Sequence, residues 1–302
     1  LCSFMAKIQF YPYDMEYKEV DNRSVVYLFG RSSNNKRITV VDDSFSPYFL
    51  VQPKREEDIE SLMTKIEKLK LEDEDNDKYE VLETKSVTKK LLGKEVNLIK
   101  VGVNVHKAIS KISKVIQEWD AVKELYESDV PFLRRYLVDN EITPITLVEA
   151  EGEFITSKSK VEVFKAEKIK QFSEDAIKEP RMLGFDIETY NPAGKAIEPE
   201  KYPVIMISFY GKNYEKVITW KKFKTDKKYI EFVDSEAELI EKIKEVIEHY
   251  KPEALVGYFS DGFDLPYIET RAKKYKIKLD LGLDYSNLSI NRRDKTDAKI
   301  KG

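Results

Sequence analysis

The stretch Leu183-Gly184-Phe185-Asp186-Ile187-Glu188-Thr189 decides the reading of this chain. Its alternation is that of a strand, where residues i and i+2 share a face. Asp186 and Glu188 therefore project together, with Phe185 and Ile187 opposite. Two like charges side by side on a central strand are unfavourable, and burying them unpaired costs more. A divalent cation removes both problems; an exposed face or pairing with Lys and Arg is the structural alternative. A second acidic segment follows in Gly257-Tyr258-Phe259-Ser260-Asp261-Gly262-Phe263-Asp264-Leu265-Pro266-Tyr267. By itself Asp264 reads as a helix N-cap, with Pro266 preset for the first turn.

Elements around these segments come from periodicity. Strands are predicted at 182–189, 203–210 and 214–220, a helix at 236–250, a strand at 254–259 and a helix opening near Asp264. Ser235 and Glu238 form a capping box ahead of the stripe Leu239, Ile240, Ile243, Val246 and Ile247. Three strands, helix, strand, helix resembles the opening of a ribonuclease-H-like sheet. Upstream, 24–31 and 36–42 read as a hairpin. Then come a strand at 47–51, a helix at 56–69, a solvated acidic loop at 72–77, strands at 79–89 and 96–103, a helix at 106–118 and a strand at 121–126. That βαββαβ order is the ferredoxin-like arrangement of RNA-recognition modules. The fold class is α/β (α+β): a β-rich N-terminal domain over residues 1–146, then an incomplete ribonuclease-H-like domain over 147–302.

Composition narrows the chemistry. The 302 residues suit about two domains at roughly 150 residues each. With 41% hydrophobic and 35% charged residues the chain can bury a core, and no apolar run is long enough for a bilayer. One cysteine, Cys2, excludes a disulfide scaffold and a thiolate zinc site and suits a reducing cytoplasm. Only His106 and His249 are present, so a metal here is held by carboxylates, as magnesium or manganese would be. A net charge of −3 gives no bulk attraction for nucleic acid. The local basic clusters are Lys89, Lys90 and Lys94; Arg134 and Arg135; Lys221 to Lys228; Arg271 to Lys278; and Arg292 and Arg293.

Taken together, FDIET at 185–189 and FSDGFDLPYI at 259–268 resemble the first two exonuclease motifs of the archaeal-type B-family DNA polymerases, within the DEDD 3′→5′ exonucleases. SFSPYFLV at 44–51, KKLLGKEVNLIKV at 89–101, ESDVPFLRRYLVD at 127–139 and VITW at 217–220 extend the resemblance over nearly the whole chain. It implies the N-terminal part of a longer, monomeric, cytoplasmic DNA-directed DNA polymerase, with template and primer DNA as partners. A sliding clamp would be engaged by parts beyond this chain. It implies two magnesium or manganese ions in the complete exonuclease site. Asp186 would bridge both, Glu188 would hold the first and orient the attacking water, and Asp264 would support the second.

The resemblance also implies a template-uracil pocket at Tyr13, Pro47, Tyr48, Leu98, Pro131, Phe132 and Arg135. Tyr48 and Phe132 would stack on an extruded base, and Arg135 would reach a phosphate. The sequence departs from the family pattern in four ways. Phe259 stands where an asparagine is usual, Glu95 where a proline is common and Leu98 where a valine is common. No third motif follows Asp264: Asp280, Asp284, Asp294 and Asp297 have Lys276, Asp280, Ile290 and Arg293 four residues earlier, where Tyr or His is required. This fragment is therefore expected to be inactive by itself. The alternative is a single-strand-binding module that kept an exonuclease fold without its activity.

Overall fold

The structure is a computed structural model and describes residues 5–291 and 297–301. Cys2, Arg292, Arg293 and Asp294 lie outside the described residues. The chain divides into two units, one formed by residues 1–155 with 163–175, the other by 156–162 with 176–302. The expected boundary at 147 falls instead at the start of a strand that belongs to the first unit.

The first unit opens with β1 (Ala6–Val20), β2 (Arg23–Ser32) and β3 (Arg37–Asp42). β4 (Tyr48–Pro53), α1 (Ile59–Glu67), β5 (Lys70–Glu72), β6 (Lys78–Leu91), β7 (Lys94–Val103), α2 (His106–Gln117) and β8 (Val122–Tyr126) follow. α3 (Phe132–Asp139), β9 (Thr146–Ile155) and β10 (Glu162–Ala176) complete it. β1, β2, β3, β10 and β9 close into a barrel, which leaves no free edge. The periodicity predicts only its β2–β3 hairpin. Phe10, Val26, Leu28, Val40, Val148, Ala150 and Phe164 fill its interior.

The second sheet runs β5-β6-β7-β4-β8 and holds the expected βαββαβ core, with β5 added at the edge. α1 and α2 pack on one face only, because their apolar stripes (Leu62 and Ile66; Ile109, Ile112 and Ile116) meet Phe49, Val51, Ile99 and Val101. The alternate residues Tyr48, Leu50 and Leu98 form a small separate cluster on the other face.

The second unit contains β11 (Met182–Thr189), β12 (Val204–Gly211), β13 (Tyr214–Thr219), β14 (Ile230–Phe232), α4 (Glu236–Tyr250), β15 (Ala254–Val256), α5 (Asp264–Lys274), β16 (Ser289–Asn291) and β17 (Asp297–Lys299). Its main sheet has the order β14-β13-β12-β11-β15. β11 is antiparallel to β12 and parallel to β15, as a ribonuclease-H-like sheet requires. α4 spans the predicted residues because Ser235 accepts the Glu238 N–H at its start. The return bond of the capping box goes one residue further back, from the Asp234 N–H to the Glu238 carboxylate. β15 stops at Val256, three residues short of the predicted 259.

Candidate exonuclease site

β11 carries the alternation its sequence predicts. Leu183, Phe185 and Ile187 enter the core with the α4 stripe, while Asp186 and Glu188 lie on the exposed face. Opposite them on β12 are Ser208 and Met206, and the ladder shifts register immediately after Glu188. Such a bulge re-aims the side chains beside it.

The edge of β11 facing β15 explains the rest. β15 pairs only with Met182–Gly184, so the next backbone groups of β11 need other partners. Gly257 turns the chain there, so close to β11 that a Cβ would stand 3.0 Å from the Phe185 carbonyl oxygen. The loop then returns Asp264, whose Oδ1 accepts the Ile187 N–H at 3.4 Å. Asp264 thus sits against the backbone between Asp186 and Glu188, and is only 2% exposed. It is not the N-cap. It is the first residue of α5, Phe263 holds the cap position without a side-chain bond, and the Leu265 N–H bonds the Ser260 carbonyl.

Burial pushes the Asp264 carboxyl above its ordinary value, and the Asp186 charge adds to that; the Ser260 hydroxyl and the Ile187 amide oppose it. The donor set is all carboxylate, which suits a hard divalent cation. A cation would also cancel the repulsion that raises Asp264. Among the described residues, however, no three acidic, His or Cys side chains gather closely enough to hold an ion. Asp280, an aspartate downstream of Asp264, is ion-paired with Lys244.

Phe259 adopts φ +56°, the left-handed conformation that asparagine tolerates and an aromatic residue resists. Its ring is 70% exposed and lies over Gly262. The backbone turn is kept: the Phe259 carbonyl accepts the Gly262 and Phe263 N–H groups, each at 3.0 Å.

The profile of DNA polymerase family B, exonuclease domain, matches residues 123–299. The chain belongs to DNA polymerase family B. A DNA polymerase of Methanocaldococcus jannaschii is 36% identical over 92% of the chain and 15% of its own length. One of Pyrococcus glycovorans is 32% identical over 96% of the chain and 32% of its own length. The family B DNA polymerase of the hyperthermophilic archaeon Pyrobaculum calidifontis shares the fold, with a TM-score of 0.74 at 23% identity over 93% of this chain and 34% of that one. This family B chain therefore spans between 15% and 34% of the length of these relatives.

The remaining expected site residues lie in the first unit. Tyr48, Leu98, Phe132 and Arg135 are all buried, and Pro47 with them. Two cations stand over the Tyr48 ring: Lys100 Nζ is 3.9 Å from its centroid and the Arg135 guanidinium 4.2 Å. Arg135 also donates to Glu127 Oε2 at 2.7 Å. Burial pushes the Tyr48 phenol up to about 12, helped by a hydrogen bond with Asp139. Phe132 belongs to the barrel cluster and contacts Phe45, Tyr17 and His106. The structure brings Tyr48 and Arg135 together and sends Phe132 to the barrel. Pro131 is exposed and Tyr13 half-buried.

Sequence reading missed a buried polar cluster beside the carboxylates. Arg271 donates to both Glu236 carboxylate oxygens, at 2.7 Å and 2.5 Å, and to the Pro199 and Glu200 carbonyls. Glu236 also accepts the Val204 N–H and the Tyr275 hydroxyl. The signal available was a lone Arg in the apolar stripe of α5. The cluster ties α4, α5 and the start of β12 together, and so holds Asp264 against the strand beside Asp186.

Proposed function

We propose that this chain is the front part of a replicative DNA-directed DNA polymerase, carrying part of a two-metal 3′→5′ proofreading exonuclease. The observation that carries this reading is the Asp264 carboxylate on the Ile187 N–H, between Asp186 and Glu188. Asp186, Glu188 and Asp264 would hold magnesium or manganese. Such ions activate water and stabilise the charge that develops during phosphodiester hydrolysis. The residues of the chain supply the oxygen donors, the fixed edge of β11 and the buried clamp behind α5. The same reading gives the first unit a template-strand role, with uracil sensed near Tyr48, Leu98 and Arg135.

Phe259, an exposed ring where the resembled motif carries an asparagine, favours the second reading, a strand-binding module without activity. Manganese titration by calorimetry separates the two. Weak binding at one site, lost in Asp186→Ala, is expected. No heat of binding in the unsubstituted chain would leave only the binding module.

A further inference from the structure

β6 and β7 pair from Val81/Val103 to Leu91/Lys94, but β4 continues the ladder only along Ile99–Gly102 of β7. Residues 94–98 of β7 and their β6 partners therefore form a two-stranded ribbon that runs about 16 Å past the β4 ladder, at 3.3 Å per residue. Asn97 braces it near its base, bonding Thr88 across the ribbon and Glu56.

Directly opposed residues of an antiparallel pair point the same way. One face of the ribbon and its root consequently carries Lys85, Val87, Lys89 and Leu91 from β6, with Lys94, Val96, Leu98 and Lys100 from β7. Every residue on that face is lysine or aliphatic. The helices cover the opposite face only from the root inward, at Ile99 and Val101; along the ribbon that face carries the exposed Ser86, Thr88, Lys90 and Glu95 with the half-buried Asn97. Lys85, Lys89 and Lys94 are exposed and none is ion-paired among the described residues. In a chain of net charge −3 this is a local field of one sign.

The tip is unusual in a second, independent way. Leu92 and Gly93 both have positive φ, +48° and +82°, so the ribbon closes with a two-residue turn of the type that favours Asn-Gly. A leucine there is strained, and its side chain is fully exposed at the end of the arm. Folding alone gains nothing from leucine at this position.

We propose that the β6–β7 ribbon is an arm that grips double-stranded DNA. Its lysine face lies along the phosphates, and Leu92 enters the minor groove as an apolar contact. Lysine rows facing phosphates bind without sequence preference, and apolar tips on basic elements are used in minor grooves. Duplex is favoured over single strand because this face presents no exposed aromatic ring: Tyr48 is buried with Lys100 and Arg135 over its ring, and Phe45 and Tyr126 are half-buried in the same cluster. The inference rests on the DNA-binding reading above and is separable from it.

The test uses the 302-residue chain, a 20-base-pair duplex with 2-aminopurine near its centre, and the matching single strand. Leu92→Asn places Asn-Gly in the turn. It is expected to raise the melting temperature, weaken duplex binding about tenfold (one leucine's burial) and abolish the 2-aminopurine signal. Lys89→Gln with Lys94→Gln is expected to lower the salt slope of duplex binding by about two. Duplex affinity unchanged in both variants overturns the arm while leaving DNA binding intact. Equal losses on duplex and single strand overturn the duplex assignment. A parent chain that binds neither DNA overturns the arm together with the DNA-binding reading.

Discussion

Asp264 shows how a catalytic candidate costs stability. Its carboxyl titrates above the ordinary value of 3.8, chiefly because it is buried. A raised carboxylate favours the fold only where it is protonated, and that contribution is lost as pH rises through the folded value. At neutral pH the ionised group is therefore a burden. Asp264→Asn keeps an acceptor for the Ile187 N–H and removes the charge. The melting temperature should rise at pH 7, with the gain fading toward pH 4, while manganese binding is lost; a drop at pH 7 would refute the argument. Phe259 carries a comparable local cost. Left-handed backbone costs a non-glycine residue about 1 kcal/mol, and asparagine relieves it. Phe259→Asn should raise the midpoint by about 2 °C in differential scanning calorimetry. His106 works in the opposite direction to Asp264. Burial against Phe132 and Tyr17 lowers its value from 6.5, with the Glu19 charge opposing, and its Nδ1 has no hydrogen-bond partner among the described residues. The unfolded chain binds that proton more readily, so stability should fall as pH drops below about 6.5. His106→Phe should flatten this step in a series of melts from pH 7.5 to 5.5.

The Glu236–Arg271 pair is the strongest test among the elements. Both side chains are almost fully buried, at 4% and 2% exposure. Arg271→Met strands the Glu236 charge, which should cost about 3–5 kcal/mol in urea unfolding. Adding Glu236→Gln removes that charge yet keeps acceptors for Val204 and Tyr275, so the double variant should recover much of the loss. Additive losses would show that the pair is not one unit. Elements that bury a continuous stripe were legible in the sequence: α2, α4 and β11 lie where periodicity puts them. The barrel strands β9 and β10 were not, because their inward residues are small or interleaved with charges, as in Thr146–Ile155, TLVEAEGEFI. α3 is only eight residues long, and its motif was read as a pocket wall rather than a helix. At the site, the strand rule placed Asp186 and Glu188 on one face. The sequence pointed to Asp264 but could not show its partner, because the unpaired edge of β11 arises only where β15 ends. The proline after Asp264 suggested a cap; the side chain is instead committed to the strand.

At the scale of the whole chain, composition and surface point in different directions. A net charge of −3 argues against bulk attraction to DNA, yet unpaired lysines gather on one face of the ribbon and its root. Any recognition of DNA by this chain therefore rests on local surfaces, and each is separately testable. The 302-residue chain should digest labelled single strands negligibly in magnesium, since none of the aspartates after Asp264 has the Tyr or His four residues earlier that the third exonuclease motif requires. Each lost ~1.4 kcal/mol of transition-state stabilisation is tenfold in rate. Brisk digestion abolished by Asp186→Ala would contradict this. Discrimination against thymine requires a closed wall at the base methyl, worth about 10- to 200-fold at best. Here Leu98 is fully buried, two cations stand over the Tyr48 ring, and Arg135 is held by Glu127. A base entering there must displace the Arg135 or Lys100 contact first, which costs matched uracil and thymine alike. The expected preference is therefore below about tenfold, measured by fluorescence anisotropy on oligonucleotides differing by a single U or T. Because both bases meet the same phosphates, raising the salt should weaken binding while leaving the ratio unchanged. Glu127→Gln, which loosens Arg135, should raise affinity for both oligonucleotides. Equal affinities for U and T in both proteins would remove uracil sensing and leave a general strand-binding surface.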